Sequence, residues 1–156
     1  MIKQLLNIAL LVTTAATLSA QNYSGGSGTL SDPYQIANKA DLKYLSDNDT
    51  EWSKNFIQTV DISFDSLDFA SSGSFYYAGK GFSPIGNPTT QFTGSYNGNY
   101  HVIQNLYINR YFQTFVGLFG FVSSGATVSN LGCSNLNITG ANNTGGLAAE
   151  NDGIIN

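Results

Sequence analysis

The 156-residue chain has one cysteine, one histidine and one arginine, and only 10% of its residues are charged. Each scarcity excludes something. With Cys133 alone there is no internal disulfide, and no cysteine follows the N-terminal apolar run to carry a lipid. A lone cysteine is more often a small buried hydrophobe than a reactive thiol, and Cys133 is read that way. One histidine without a second histidine or nearby cysteine does not make a zinc site. Basic residues are outnumbered: past residue 20 the chain holds five against ten acidic ones. It therefore lacks the phosphate-neutralising charge on which nucleic-acid binding depends, and no nucleic-acid partner is expected. No apolar run beyond the first reaches the length of a membrane span.

What is present begins with a leader. Lys3 supplies a positive start, residues 5–18 are mostly apolar, and Ser19-Ala20 precedes Gln21. That order of features reads as a secretory signal peptide over 1–20, so the mature chain is expected to start near Gln21 and to be extracellular. Low charge combined with 13% aromatic residues argues for a packed chain rather than a disordered one.

Tyr23-Ser24-Gly25-Gly26-Ser27-Gly28-Thr29 reads as a flexible, turn-rich lead-in with no phosphate-loop lysine behind its glycines. Asp32-Pro33 marks a turn, and Tyr34-Gln35-Ile36 alternates as a short strand. Asn38 with Asp41 three residues later forms a capping pattern, and Leu42 and Leu45 share a face, which predicts a helix over 39–46. Residues 21–55 are thus a lead-in and cap. From Phe56 the period is two, through Gln58, Val60, Ile62 and Phe64. Residues 65–81 read as an irregular loop; beyond them, Asn- and Gly-rich turns alternate with short apolar runs.

Those runs repeat. Ile103-Gln104-Asn105, Val128-Ser129-Asn130 and Ile154-Ile155-Asn156 share an apolar-x-Asn pattern at intervals of 25 and 26 residues. Gly117-Leu118 recurs as Gly146-Leu147, and Asn105-Leu106-Tyr107-Ile108 is echoed by Asn135-Leu136-Asn137-Ile138. A short period of strands and turns signifies a solenoid whose coils share one core. The 25-residue interval predicts that Ile103, Val128 and Ile154 stack inward on successive coils, with Leu106 aligned to Leu131. Asn105, Asn130 and Asn156 would then form an amide ladder. Residues 56–156 are read as these coils, expected to continue beyond Asn156 and to leave an open coil able to self-associate.

Gly117-Leu118-Phe119-Gly120 resembles the Gly-Leu-x-Gly core of a GLUG repeat. The segment from Phe92-Thr93-Gly94 to Asn105-Leu106, the Gly26-to-Ile36 start and the Phe82-Ser83-Pro84-Ile85-Gly86 turn are similar to other parts of such proteins. The second copy departs from the pattern at Ala149. The resemblance implies an all-β, right-handed parallel β-helix with a short N-terminal capping helix. It also implies a bacterial secreted or cell-surface, adhesin-like protein with no catalytic residues or cofactor to carry over. A non-catalytic repeat segment of a larger surface peptidase or polysaccharide-degrading enzyme is the alternative.

Three site readings remain. His101 follows the Asn97-Gly98-Asn99 turn with no nucleophile-elbow motif elsewhere, and is read as structural. No metal is expected; were calcium bound, Asp61, Asp65 and Asp68 are the carboxylates that would hold it. Tyr76, Tyr77, Tyr96, Tyr100, Tyr107 and Tyr111 are the candidate contacts for an extracellular glycan or protein ligand, since a tyrosine offers an apolar ring with a polar tip. The leader carries the first test: N-terminal sequencing of secreted material is expected to give Gln21 or a near neighbour, and retention of Met1 would refute export by this segment.

Overall fold

The computed structural model describes residues 22–156, so the leader lies outside the described residues. Among the described residues, twelve short β-strands, one α-helix and two single 3-10 turns make up the regular structure. Helix α1, Lys39–Asp47, forms where the capping pattern predicts it: the Asn38 side chain accepts the Asp41 N–H at 2.9 Å. Asp41 closes the start differently from a reciprocal box, accepting from Ala37 N–H and the Ser24 hydroxyl. Leu42 and Leu45 are fully buried, and the Trp52 indole donates to the Leu45 carbonyl at 2.7 Å, which satisfies a helix-end acceptor. The lead-in proves packed rather than flexible. Tyr23 is buried and stacks on Tyr34, while Gln35 N–H bonds Gly25 O and Asn55 N–H bonds Gly28 O.

All strand pairings in the sheets are parallel. The largest sheet has the order β1 (Tyr34–Ile36), β2 (Asn55–Gln58), β4 (Ser95–Asn97), β8 (Thr127–Ser129) and β12 (Ile154–Ile155). A second contains β3 (Ile62–Ser63), β5 (Val102–Gln104) and β9 (Gly132–Ser134). Two pairs complete the set: β6 (Tyr107–Asn109) with β10 (Asn137–Thr139), and β7 (Phe119–Val122) with β11 (Ala148–Asn151). Parallel neighbours usually need a helical crossover. Here, past β4, the chain returns through other strands and tight corners.

Register decides which residues share a column. Tyr34, Phe56, Tyr96, Val128 and Ile155 lie opposite one another in turn across the five-stranded sheet. Ile62, Ile103 and Cys133 make a second column, and Ile108 lies opposite Ile138. Phe56, Tyr96, Ile62, Ile103, Ile108 and Val128 are all buried. Each such side chain contributes roughly 1.5–3 kcal/mol through removal of apolar surface from water. Gln58, also fully buried, is satisfied by the Tyr96 hydroxyl at 2.9 Å and by donation to Val60 O at 2.8 Å.

The 25-residue stacking is overturned. Ile103 lies opposite Cys133, thirty residues on; Val128 lies opposite Tyr96 and Ile155; Ile154 lies opposite Thr127 and is exposed. Leu106 is fully buried whereas Leu131 is only partly so. Asn105, Asn130 and Asn156 accordingly form no common ladder. Asn135 donates its amide to Asn105, and Asn130 donates to Asn97 at 3.1 Å. The reason is local. Asn99, Asn105, Asn130 and Asn135 all have positive φ, a left-handed conformation that asparagine tolerates better than other side chains. An apolar residue followed by such an asparagine marks a corner, and the 25-residue interval joined two different corners. The true return is the thirty-residue echo of Asn105-Leu106-Tyr107-Ile108 in Asn135-Leu136-Asn137-Ile138, which Tyr107 opposite Asn137 puts in register.

The Gly-Leu repeat is in register as well: Phe119 lies opposite Ala148, which aligns Leu118 with Leu147 and Gly120 with Ala149. A Cβ on Gly120 would sit 2.3 Å from Gly86 O and 2.8 Å from Phe115 O. Ala149, one circuit later, already carries that methyl. Gly120→Ala should therefore cost about 1–3 kcal/mol by overpacking, read as a lowered urea midpoint at unchanged slope. Ala149→Gly should cost no more than roughly 1 kcal/mol, through added backbone freedom alone. A second expectation concerns Cys133, whose partial burial pushes its thiol up to about 11. The thiol is then protonated near neutral pH, and iodoacetamide should label it far faster in denaturant than in the folded protein.

Candidate functional site

A concavity lies where the strand β3, its following loop and two asparagine corners meet. Its lining includes Phe64, Asp65, Phe69, Asn105, Tyr107 and Asn135, and its volume is about 740 Å³. Phe64 directly follows β3 and is buried, forming the floor. Phe69 comes from the irregular 65–81 segment and is held by ring contacts to Phe64 at 5.4 Å, Phe75 at 6.1 Å and Tyr107 at 5.5 Å. The loop thus owes its position to an aromatic cluster rather than to strand pairing, with Phe75 buried beneath it and stacked on Phe82.

Polar groups run along one wall. Asn135 donates to Asn105 Oδ1, and Asn105 Nδ2 donates to Ser63 Oγ at 3.1 Å and Phe64 O at 3.2 Å. Asn137, which lies opposite Tyr107, continues the wall on the next strand. On the other side stands Asp65. Its Oδ1 accepts the Leu67 N–H at 2.8 Å, which with the nearby Lys39 ammonium holds the carboxyl below the usual carboxylate range. The site therefore combines aromatic rings, neutral amides arranged in a row and one ionised carboxylate. Aromatic faces, amides and a carboxylate are groups able to meet the C–H and hydroxyl groups of a polyhydroxylated surface.

The sequence-predicted residues scatter around this site. Tyr107 lines it. Tyr96 does not: it is buried, its hydroxyl donating to Gln58, and burial raises its pKa well above the usual phenol range. Tyr77 is tied by its hydroxyl to Asp47 and Lys43, with the Lys43 ammonium 4.8 Å from its ring centre. Tyr76, Tyr100 and Tyr111 are exposed outside the groove lining, Tyr111 resting on Phe112. The six tyrosines form no single platform.

The three aspartates also part company. Asp61 accepts from His101 Nδ1 and from Val102 N–H, both at 3.0 Å, and the Val102 bond chiefly lowers its pKa. Asp65 and Asp68 converge instead on Lys39, at 3.6 and 2.6 Å. An ammonium occupies the position a cation would take, and no cluster of three or more metal-binding side chains occurs among the described residues. Phe64, Phe69, Asn135 and Asn137 were missed as site residues. The Asn105/Asn135 echo was the available signal, because equivalent corners place their side chains on one edge.

No protein-family model matches the chain, and no solved structure matches it. Two relatives are similar in sequence. Halomucin of Haloquadratum walsbyi is 35% identical over 133 residues, covering 83% of this chain. A protein named as a Gly-rich membrane protein, from Evansella cellulosilytica, is 30% identical over 140 residues, covering 85% of this chain. The chain spans about 1% of the first relative's length and 15% of the second's. No helix among the described residues is long and apolar enough to cross a membrane.

Proposed function

We propose that the chain is a GLUG-type, right-handed parallel β-helix that works without catalysis at the cell surface, binding an extracellular glycan in the groove at Phe69 and Tyr107. The observation that carries this reading is the composition of that groove, which is lined by aromatic rings, a row of amides and an ionised carboxylate. A sugar presents axial C–H groups to a ring face and hydroxyls that both donate to carboxylates and accept from amides. The parallel returns of about thirty residues support the helical architecture. The leader and the names of the two similar proteins, Halomucin and a Gly-rich membrane protein, support a surface location.

A glycan array probed with the mature chain, followed by calorimetry on the best neutral oligosaccharide, tests the reading. Phe69→Ala and Tyr107→Ala should each weaken binding by roughly 1–3 kcal/mol if they are hot spots, while Tyr100→Ala, fully outside the groove lining, should leave it unchanged. Binding that is absent from every glycan, or indifferent to both groove substitutions, would refute it. So would turnover of a bound polysaccharide.

A further inference from the structure

Arg110 is the single arginine of the chain. Lys39 and Lys43 are each paired with carboxylates, and Lys54 and Lys80 are exposed to solvent. Arg110 is half-buried and has no carboxylate within salt-bridge distance among the described residues. Its backbone is fixed from both directions: its N–H donates to Thr139 O at 2.8 Å, and its carbonyl accepts from Gln113 N–H at 2.7 Å. The guanidinium is fixed as well, with Nε donating to Phe82 O at 3.1 Å and Nη1 to Gln113 Oε1 at 2.9 Å. Nη2 has no partner among the described residues.

The fork faces a second, smaller cavity of about 180 Å³, lined by Arg110 together with Ser83, Gly86, Asn87, Gln113 and Thr114. Two further donors there are unspent. Asn87 uses its Oδ1 to accept from Thr89 and Thr90 N–H, which leaves its amide NH₂ without a partner, and the Thr114 hydroxyl makes no bond among the described residues. Asp47, whose charge reaches Arg110 through space, is already bonded to Lys43 and Tyr77. A half-buried cation with no ion-pair partner in contact is costly, since its lost hydration is replaced only in part, by the Phe82 and Gln113 oxygens. We infer that this cavity is an oxyanion-binding site, in which the Arg110 fork receives a carboxylate or sulfate group assisted by Asn87 and Thr114. Guanidinium suits such groups because its planar N–H pairs match two oxygens at once. Burial lowers the Arg110 pKa, the direction expected of a cation awaiting its partner. The site is separate from the groove, none of whose lining residues it shares.

Because Arg110 is unique, its Nε–H gives one unambiguous signal in a proton–nitrogen spectrum. The ¹⁵N-labelled protein would be titrated with sodium sulfate, sodium acetate, sodium glucuronate and neutral glucose, with ionic strength held constant by chloride. The three anions should move the Arg110 Nε–H and the Gln113 and Thr114 amides saturably, with dissociation constants on the order of 1 mM, and glucose should not. Arg110→Lys keeps the charge but loses the fork, and should bind roughly tenfold more weakly at the same two amides. Phe69→Ala should retain the full response, which separates this site from the groove. Tighter binding of glucuronate than acetate would assign the anion to a sugar; equal affinity would assign it to a free anion. Signals that drift linearly, alike for chloride and sulfate, or affinity unchanged in Arg110→Lys, would overturn the inference. If Arg110→Lys fails to fold, the wild-type titration decides alone.

Discussion

Strands of two to four residues cannot stand by themselves, and the whole molecule depends on the parallel backbone bonding that joins each to a neighbour distant in sequence. Parallel pairing puts like position against like position. An apolar residue on one strand is therefore favoured opposite an apolar one, and the preference passes along the sheet. The column Tyr34, Phe56, Tyr96, Val128, Ile155 is the result: three aromatics give way to two aliphatics, buried at Phe56, Tyr96 and Val128, half-buried at Tyr34 and exposed at Ile155. Gln58, opposite Ile36, is the exception. The one fully buried polar side chain among the described residues is tolerated because the Tyr96 hydroxyl, from the next strand, reaches it.

Corners are the second constraint, and they link fold to site. Strands this short must be separated by sharp changes of direction, and the asparagines at positive φ supply them. Once two equivalent corners lie beside each other, their side-chain amides come within bonding distance, as Asn135 and Asn105 do. The same residues that turn the chain thus present a row of amides along one edge, and the aromatic cluster of the 65–81 segment settles against that edge to make a groove. The groove is a by-product of how the chain turns, completed by a loop that has no strand of its own.

Electrostatics is sparse and mostly spent on structure. Lys39 joins helix α1 to Asp68 in the groove loop, Lys43 holds Asp47 and Tyr77, and Asp61 joins His101 to the chain before β3. These pairs are largely solvent-accessible and individually worth little, but the Lys39 and Lys43 contacts to Asp68 and Tyr77 anchor irregular segments to helix α1. Against that pattern Arg110 stands out, since its guanidinium braces two turns without meeting an acid.

The sequence by itself determined the helix and its cap, the β-rich character and the alignment of Gly117-Leu118 with Gly146-Leu147. Those properties are local, or follow from composition: a capping asparagine acts within three residues, and alternation reads out a strand directly. Only the tertiary structure decided the register, which side chains formed the groove, and which charges met. The apolar-x-Asn triplet recurs at corners that are not equivalent, such as Asn105 and Asn130, so its spacing could not tell one corner from the next; parallel pairing fixed the return at about thirty residues and placed Tyr96 inside. Phe69 carries no motif, and Lys39 is far in sequence from Asp65 and Asp68. Their association arises from contacts between distant segments, which a one-dimensional pattern does not contain.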